Sequence, residues 1–255
     1  MRRVVVPFVV LLVCRSALAT TLVGPSTAML DGDRFGFSFE YSRTDADLTF
    51  ETLGDRVTEN FDFDSAFAVF SVAATQWLEF FVRLGAAQAE AADFDGEMNF
   101  SWGLGTRLTA FEWNDFTWGG MAQFTNLVSR FNTFEEFLIG DVPTPLETDE
   151  ELNIVEYDFA TGPTWQHDRF TVYGGLLVRY VTGSLDFDAG IADDSFKLDR
   201  QWDAGGYVGG GVTLFKAGPS HAGCFSRCDL MAEGRFTGDS TGFTAGLLLP
   251  FGGEP

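Results

Sequence analysis

From residue 34 onward the chain alternates. Phe35, Phe37, Phe39 and Tyr41 interleave with Gly36, Ser38 and Glu40. Leu78, Phe80, Val82 and Leu84 interleave with Glu79, Phe81, Arg83 and Gly85. A period of two is the signature of a β-strand, because successive side chains point to opposite faces. Ten such segments recur, over 34–43, 60–74, 77–89, 99–112, 115–127, 153–166, 169–183, 200–215, 228–237 and 240–251. Each reaches the ~9–11 residues that a tilted strand needs to cross a hydrocarbon layer. The connections 75–76, 113–114 and 167–168 are short, with 216–227 a longer exception on the same side. Those at 44–59, 90–98, 128–152 and 184–199 are long loops, and 238–239 is a short fifth. The pattern predicts an all-β chain, a transmembrane antiparallel up-and-down β-barrel of about ten strands. Eight or twelve follow if 216–227 or 128–152 is misassigned.

Charge sharpens the two faces. One face of each strand is uncharged: Phe61, Phe63, Phe67 and Val69 on the second, Trp102, Leu104 and Leu108 on the fourth, Phe116, Trp118 and Phe124 on the fifth. Tyr157 and Phe159, Leu176 and Val178, Val208 and Val212, and Phe243 and Leu247 continue it. The other face carries Glu40, Asp62, Asp64, Glu79, Arg83, Arg107, Glu156, Asp158, Arg179, Asp203, Glu233 and Arg235. An arginine facing lipid near mid-bilayer costs ~2–4 kcal/mol, so these twelve are expected in the lumen. A soluble sandwich would also alternate, but with aromatics buried anywhere along its strands. Here Trp77, Trp113, Trp118 and Trp165 flank short turns, while Trp102 and Trp202 flank long loops near Tyr41 and Tyr180. That is the placement of two interfacial aromatic girdles.

Composition bounds the rest. The 255 residues carry 37 acids against 16 lysines and arginines, for a formal charge of −21. Such a surface repels phosphate, which argues against nucleic acid. Arg2 and Arg3, the apolar run Val4–Cys14 and the Ala17-Leu18-Ala19 end read as a secretory signal peptide over 1–19. Its removal takes away three arginines and no acid, leaving −24. Residues 20–33 then form a periplasmic lead, 34–251 the barrel and 252–255 a short tail. Cys224 and Cys228 remain, spaced for a possible local disulfide in an exported protein.

The wider pattern resembles the small bacterial outer-membrane β-barrel proteins, the OmpA-transmembrane-like and porin-like class, over residues 34–251. Thr241, Phe243, Ala245, Leu247, Leu249 and Phe251 are similar to the terminal amphipathic strand that barrel-assembly machinery recognises, although Gly252-Gly253-Glu254-Pro255 follows. The resemblance implies a Gram-negative outer membrane, with its lipid and lipopolysaccharide and that machinery as partners.

Candidate chemistry is sparse. The histidines are His167 and His221, both in expected periplasmic turns, away from the outer rim where the resemblance would place catalysis. No Gly-x-Ser-x-Gly or metal-protease histidine pair occurs, so no enzyme, cofactor or metal centre is expected. Acid-rich loops, with Asp93, Asp95 and Glu97 in one and Asp186, Asp188, Asp193 and Asp194 in another, suggest weak divalent-cation association. Eight acids and four arginines facing one lumen admit two readings. Interlocked ion pairs would fill a narrow barrel with a structural or surface-interaction role. Alternatively, they line a narrow cation-preferring pore. Inward Gly103, Gly105, Gly119, Gly175, Gly205, Gly209 and Gly211 beside Phe81 and Tyr173 fit either.

Overall fold

A computed structural model describes residues 24–30, 33–52, 55–91, 94–139, 142–188, 193–216, 225–238 and 240–252. The expected signal segment 1–19, Cys224 and His221 lie outside the described residues. The strands run β1 Phe35–Thr52, β2 Asp55–Thr75, β3 Leu78–Ala91, β4 Phe94–Asp95, β5 Glu97–Trp113 and β6 Phe116–Ile139. They continue as β7 Val142–His167, β8 Phe170–Asp188, β9 Asp193–Lys216, β10 Arg227–Phe236 and β11 Ser240–Phe251. All ladders are antiparallel, and β4 is a two-residue spur on β3. Pairing of β2 with β3 and of β1 with β11 joins the other ten strands into a closed barrel. Closure leaves no long sheet edge, as a hydrocarbon layer requires.

At one end, two-residue turns join β5 to β6 and β7 to β8. Asn114 (φ 52°) and Asp168 (φ 54°) occupy their left-handed positions, which Asn and Asp tolerate better than most residues. At the other end the strands run far beyond a bilayer. β6 and β7 stay paired from Phe116↔Trp165 to Ile139↔Val142, so most of the expected loop 128–152 is hairpin. The expected loops 44–59 and 184–199 are likewise mostly strand. Once the membrane wall has set the register, every further residue pair satisfies two backbone groups at little extra entropy. Cross-strand polar pairs then support the wet part: Thr49 with Thr58 (2.9 Å), Asn60 with Asp45 (2.8 Å) and Arg130 with Glu151 (2.8 Å).

The β10–β11 hairpin is shorter. It stops at Phe236 and Ser240, and above it β1 meets β9 directly through Phe50↔Leu198 and Glu51↔Lys197. The wall therefore has ten strands through the membrane and eight in the extension.

The exterior is apolar between two aromatic belts. Trp102, Phe124, Tyr157, Tyr180 and Trp202 form one continuous chain of rings, with successive centroids 5.1, 5.3, 6.0 and 4.8 Å apart. Trp77, Trp113 and Trp118 are exposed at the short-turn end, where Trp165 stacks on His167 at 5.7 Å. Tyr41 completes the first belt and donates to Asp64 Oδ1 at 2.6 Å. Between the belts Leu176 is 69% exposed. Leu176→Arg is expected to cost ~2–4 kcal/mol of stability, as arginine does at a lipid midplane. Urea unfolding in micelles, followed by tryptophan fluorescence, reads this directly.

One strand has the opposite phase from that expected. On β2, Phe61, Phe63, Phe67 and Val69 are buried in the lumen, and Asp62 and Asp64 point outward. The two aspartates flank exposed Arg43, at 3.5 and 3.9 Å. The expectation treated any charge on the outer face as a charge in lipid. These aspartates lie on the extension, where the outer face meets water and charge costs little. In the membrane portion of β2, the outward residues are Ala66, Ala68, Phe70 and Val72.

Candidate functional site

The lumen is filled in three layers. At the extension end, Leu48, Phe50, Phe61, Leu127, Phe131 and Leu152 form a dry apolar core with Ile154, Val181 and Leu198, each at most 4% exposed.

The middle layer is ionic. Alternation on β1, β3, β5, β7, β8, β9 and β10 delivers six carboxylates, Glu40, Glu79, Glu156, Asp158, Asp203 and Glu233, to four guanidiniums. Arg83 Nη2 lies 3.3 Å from Glu40 Oε2. Arg107 Nη1 donates to Glu79 Oε1 at 2.8 Å. Arg235 Nε donates to Glu233 Oε1 at 2.8 Å, and its Nη1 is 3.7 Å from Asp158 Oδ2. Gln123 donates to that same Asp158 oxygen at 2.6 Å. Arg179 bridges more loosely between Glu156 (3.9 Å) and Asp203 (4.0 Å). Phe81 lies between two cations, with the Arg107 guanidinium carbon 4.4 Å and that of Arg83 5.1 Å from its ring centre. Of the twelve charges assigned to the lumen from the sequence, ten meet here; Asp62 and Asp64 do not.

The inward glycines make room for filler. A Cβ at Gly209 would fall 2.4 Å from Tyr173 Cζ, and one at Gly105 would fall 2.3 Å from Phe81 Cζ. Tyr173 and Tyr207 pack together inside, at 6.3 Å between ring centres.

The third layer is the chain's own N-terminal segment. Residues 20–33 are expected as a periplasmic lead, yet Gly24–Leu30 lies inside the barrel. Gly24 N–H donates to Glu233 Oε2 at 2.9 Å, and Met29 N–H to Glu79 Oε2 at 2.8 Å. Ala28 N–H donates to Thr109 Oγ1 at 3.0 Å. The Ser26 hydroxyl lies 3.0 Å from Gly162 O and 3.2 Å from Gly119 O, donating between them. Arg227 donates to Met29 O, and Leu30, 1% exposed, rests over Gly36. The lead contains Pro25, Met29 and Leu30 among small residues, which is little to expose to water. That is a weak signal, because the destination exists only after the barrel has closed.

The remaining expected features are peripheral. His167 Nδ1 lies 2.9 Å from Asp115 Oδ2 at the short-turn rim, and this hydrogen bond, aided by Asp168, raises its pKa above the usual histidine range. Cys228 is buried on β10, but the disulfide expectation needs Cys224 and so lies outside the described residues. Among the described residues no cluster of His, Cys, Asp and Glu is arranged to hold a metal ion.

The closed wall, lipid-facing band and paired girdles define a transmembrane β-barrel of the bacterial outer-membrane kind. Its fold is similar to the translocator domain of the autotransporter NalP from Neisseria meningitidis. The TM-score is 0.51 at 9% identity, over 87% of this chain and 90% of that one. It is equally similar to the outer-membrane protease OmpT from Escherichia coli, with TM-score 0.51 at 7% identity over 88% and 99% of the two chains. No family model matches the sequence, and no curated protein sequence matches it.

Proposed function

We propose that the protein is a non-conducting, non-enzymatic outer-membrane barrel that holds a rigid β-extension outside the cell in a structural or surface-interaction role. In this reading the short turns face the periplasm. The observation that carries the proposal is the dry apolar core across the extension end of the lumen, above a charge layer in which every guanidinium has a carboxylate within 4.0 Å. A cation-preferring pore needs a continuous wet path, and an apolar layer over paired charges favours the reading without one. The outer face of the extension presents Asp45, Asp47, Asp62 and Asp64 around a single described arginine on β1, Arg43. This suits weak association with divalent cations at a lipopolysaccharide surface.

Conductance in a planar bilayer tests the proposal. The purified protein is expected to give no stable unitary steps at moderate voltage. Cation-selective steps that change when Arg107 is neutralised would overturn it in favour of the pore.

A further inference from the structure

The interior contacts of Gly24–Leu30 have an unusual distribution. They come from Glu79 on β3, Thr109 on β5, Gly119 on β6, Gly162 on β7, and Arg227 and Glu233 on β10. These strands span most of the circumference, so the seat exists only once the barrel has closed. The segment itself joins no ladder of the wall. It is held as a ligand is held, by donors and acceptors aimed at a backbone bent at Ser26 and Thr27 and by two backbone seats lacking a Cβ. A Cβ at Gly119 would fall 2.8 Å from Ser26 O, and one at Gly36 would fall 2.6 Å from Leu30 Cδ2.

A cavity of about 120 Å³ runs beside the segment toward the short-turn mouth. Thr27, Thr109, Thr117, Thr164, Thr171 and Thr213 are among its lining residues. It is polar and has room for several waters. Water there can reach Thr109 and Arg227, two of the groups that a departing segment leaves behind, and release breaks no contact within the wall itself.

We propose that the short-turn half of the lumen is a binding site for a short, bent, small-residue peptide, and that Gly24–Leu30 is its built-in and exchangeable occupant. The barrel is the receptor, and the segment docks after closure. The proposal is independent of whether the lumen conducts.

Thiol accessibility in the full chain tests it, with Cys224 and Cys228 first replaced by serine. Thr164, nearly buried beneath Thr27, becomes the reporter as Thr164→Cys. Adding Ser26→Asp places a carboxylate against the carbonyls of Gly119 and Gly162, which expels the segment without touching the wall. A hydrophilic maleimide is expected to label the S26D/T164C protein about tenfold faster than T164C alone, as for a site opened from a protected state. End-blocked peptide Gly24–Leu30, added in millimolar excess, is expected to restore protection to S26D/T164C. The same peptide with Asp for Ser26 is not.

Equal labelling of the two proteins would overturn the seating of the segment. Faster labelling that the peptide fails to reverse would overturn the binding site and leave a fixed plug. Protection by both peptides alike would also overturn it. Should S26D compromise folding, T27C/T164C in the same background, with Cys224 and Cys228 replaced by serine, is the second arm. Its hydroxyl positions are 3.4 Å apart, so oxidation should cross-link them, and no cross-link would sink the proposal.

Discussion

Arg235→Met is expected to lower the unfolding free energy by ~3–5 kcal/mol, the range for removing one partner from a buried ion pair. Arg235 is 2% exposed, within reach of both Glu233 and Asp158. Its loss leaves two carboxylates in a closed layer. Gln123 and the Gly24 N–H still donate to them, and of the neighbouring cations Arg179 remains near Asp158. The segment seated on Glu233 is weakened at the same time. Urea unfolding in micelles gives the number, and a loss below about 1 kcal/mol would mean that the layer is wet. Two comparisons sharpen the reading. Arg43→Met, beside exposed Asp62 and Asp64, is expected to cost no more than ~1 kcal/mol. Arg235→Met combined with Glu233→Gln should recover part of the loss, because most of the cost is an abandoned charge and not a lost attraction. The network is thus better read as fixing which strand faces meet inside than as a large net source of stability.

Phe61→Ala is expected to cost ~3–5 kcal/mol, as for a large aromatic removed from a packed core. Phe61 is 1% exposed and contacts Phe50 and Phe63, with ring centres 6.0 and 6.1 Å away. Phe70 on the same strand is 53% exposed and faces lipid, where its truncation leaves no cavity. Phe70→Ala should therefore cost clearly less than Phe61→Ala in the same unfolding assay. The sequence-based assignment of β2 demands the reverse order, so this pair of variants decides its phase. The reversed order would return Asp62 and Asp64 to the lumen and put the apolar seal in doubt.

Both predictions bear on how far the lumen could be read in advance. Alternation alone placed Glu40, Glu79, Arg83, Arg107, Glu156, Asp158, Arg179, Asp203, Glu233 and Arg235 on one parity, and the structure brings all of them into the middle layer. The rule worked there because those strands cross lipid at the charged residues, and lipid excludes charge from the outer face. It failed on β2, where the charges lie beyond the lipid and both parities of the spanning part are uncharged. The same blindness to where the bilayer ends turned strand extensions into loops.

Local pattern by itself determined the element type, the inward parity of most strands, the short-turn side and the aromatic belts. Each depends on residues near one another in the chain and on one external boundary condition, the hydrocarbon layer. Tertiary structure alone decided that the extension end of the lumen holds an apolar core, which Phe residues enter it, and that Gly24–Leu30 lies inside. Those outcomes depend on which side chains from six or more strands arrive at the same height, and that is set by the register and closure of the barrel. No window of sequence contains the register of a ring.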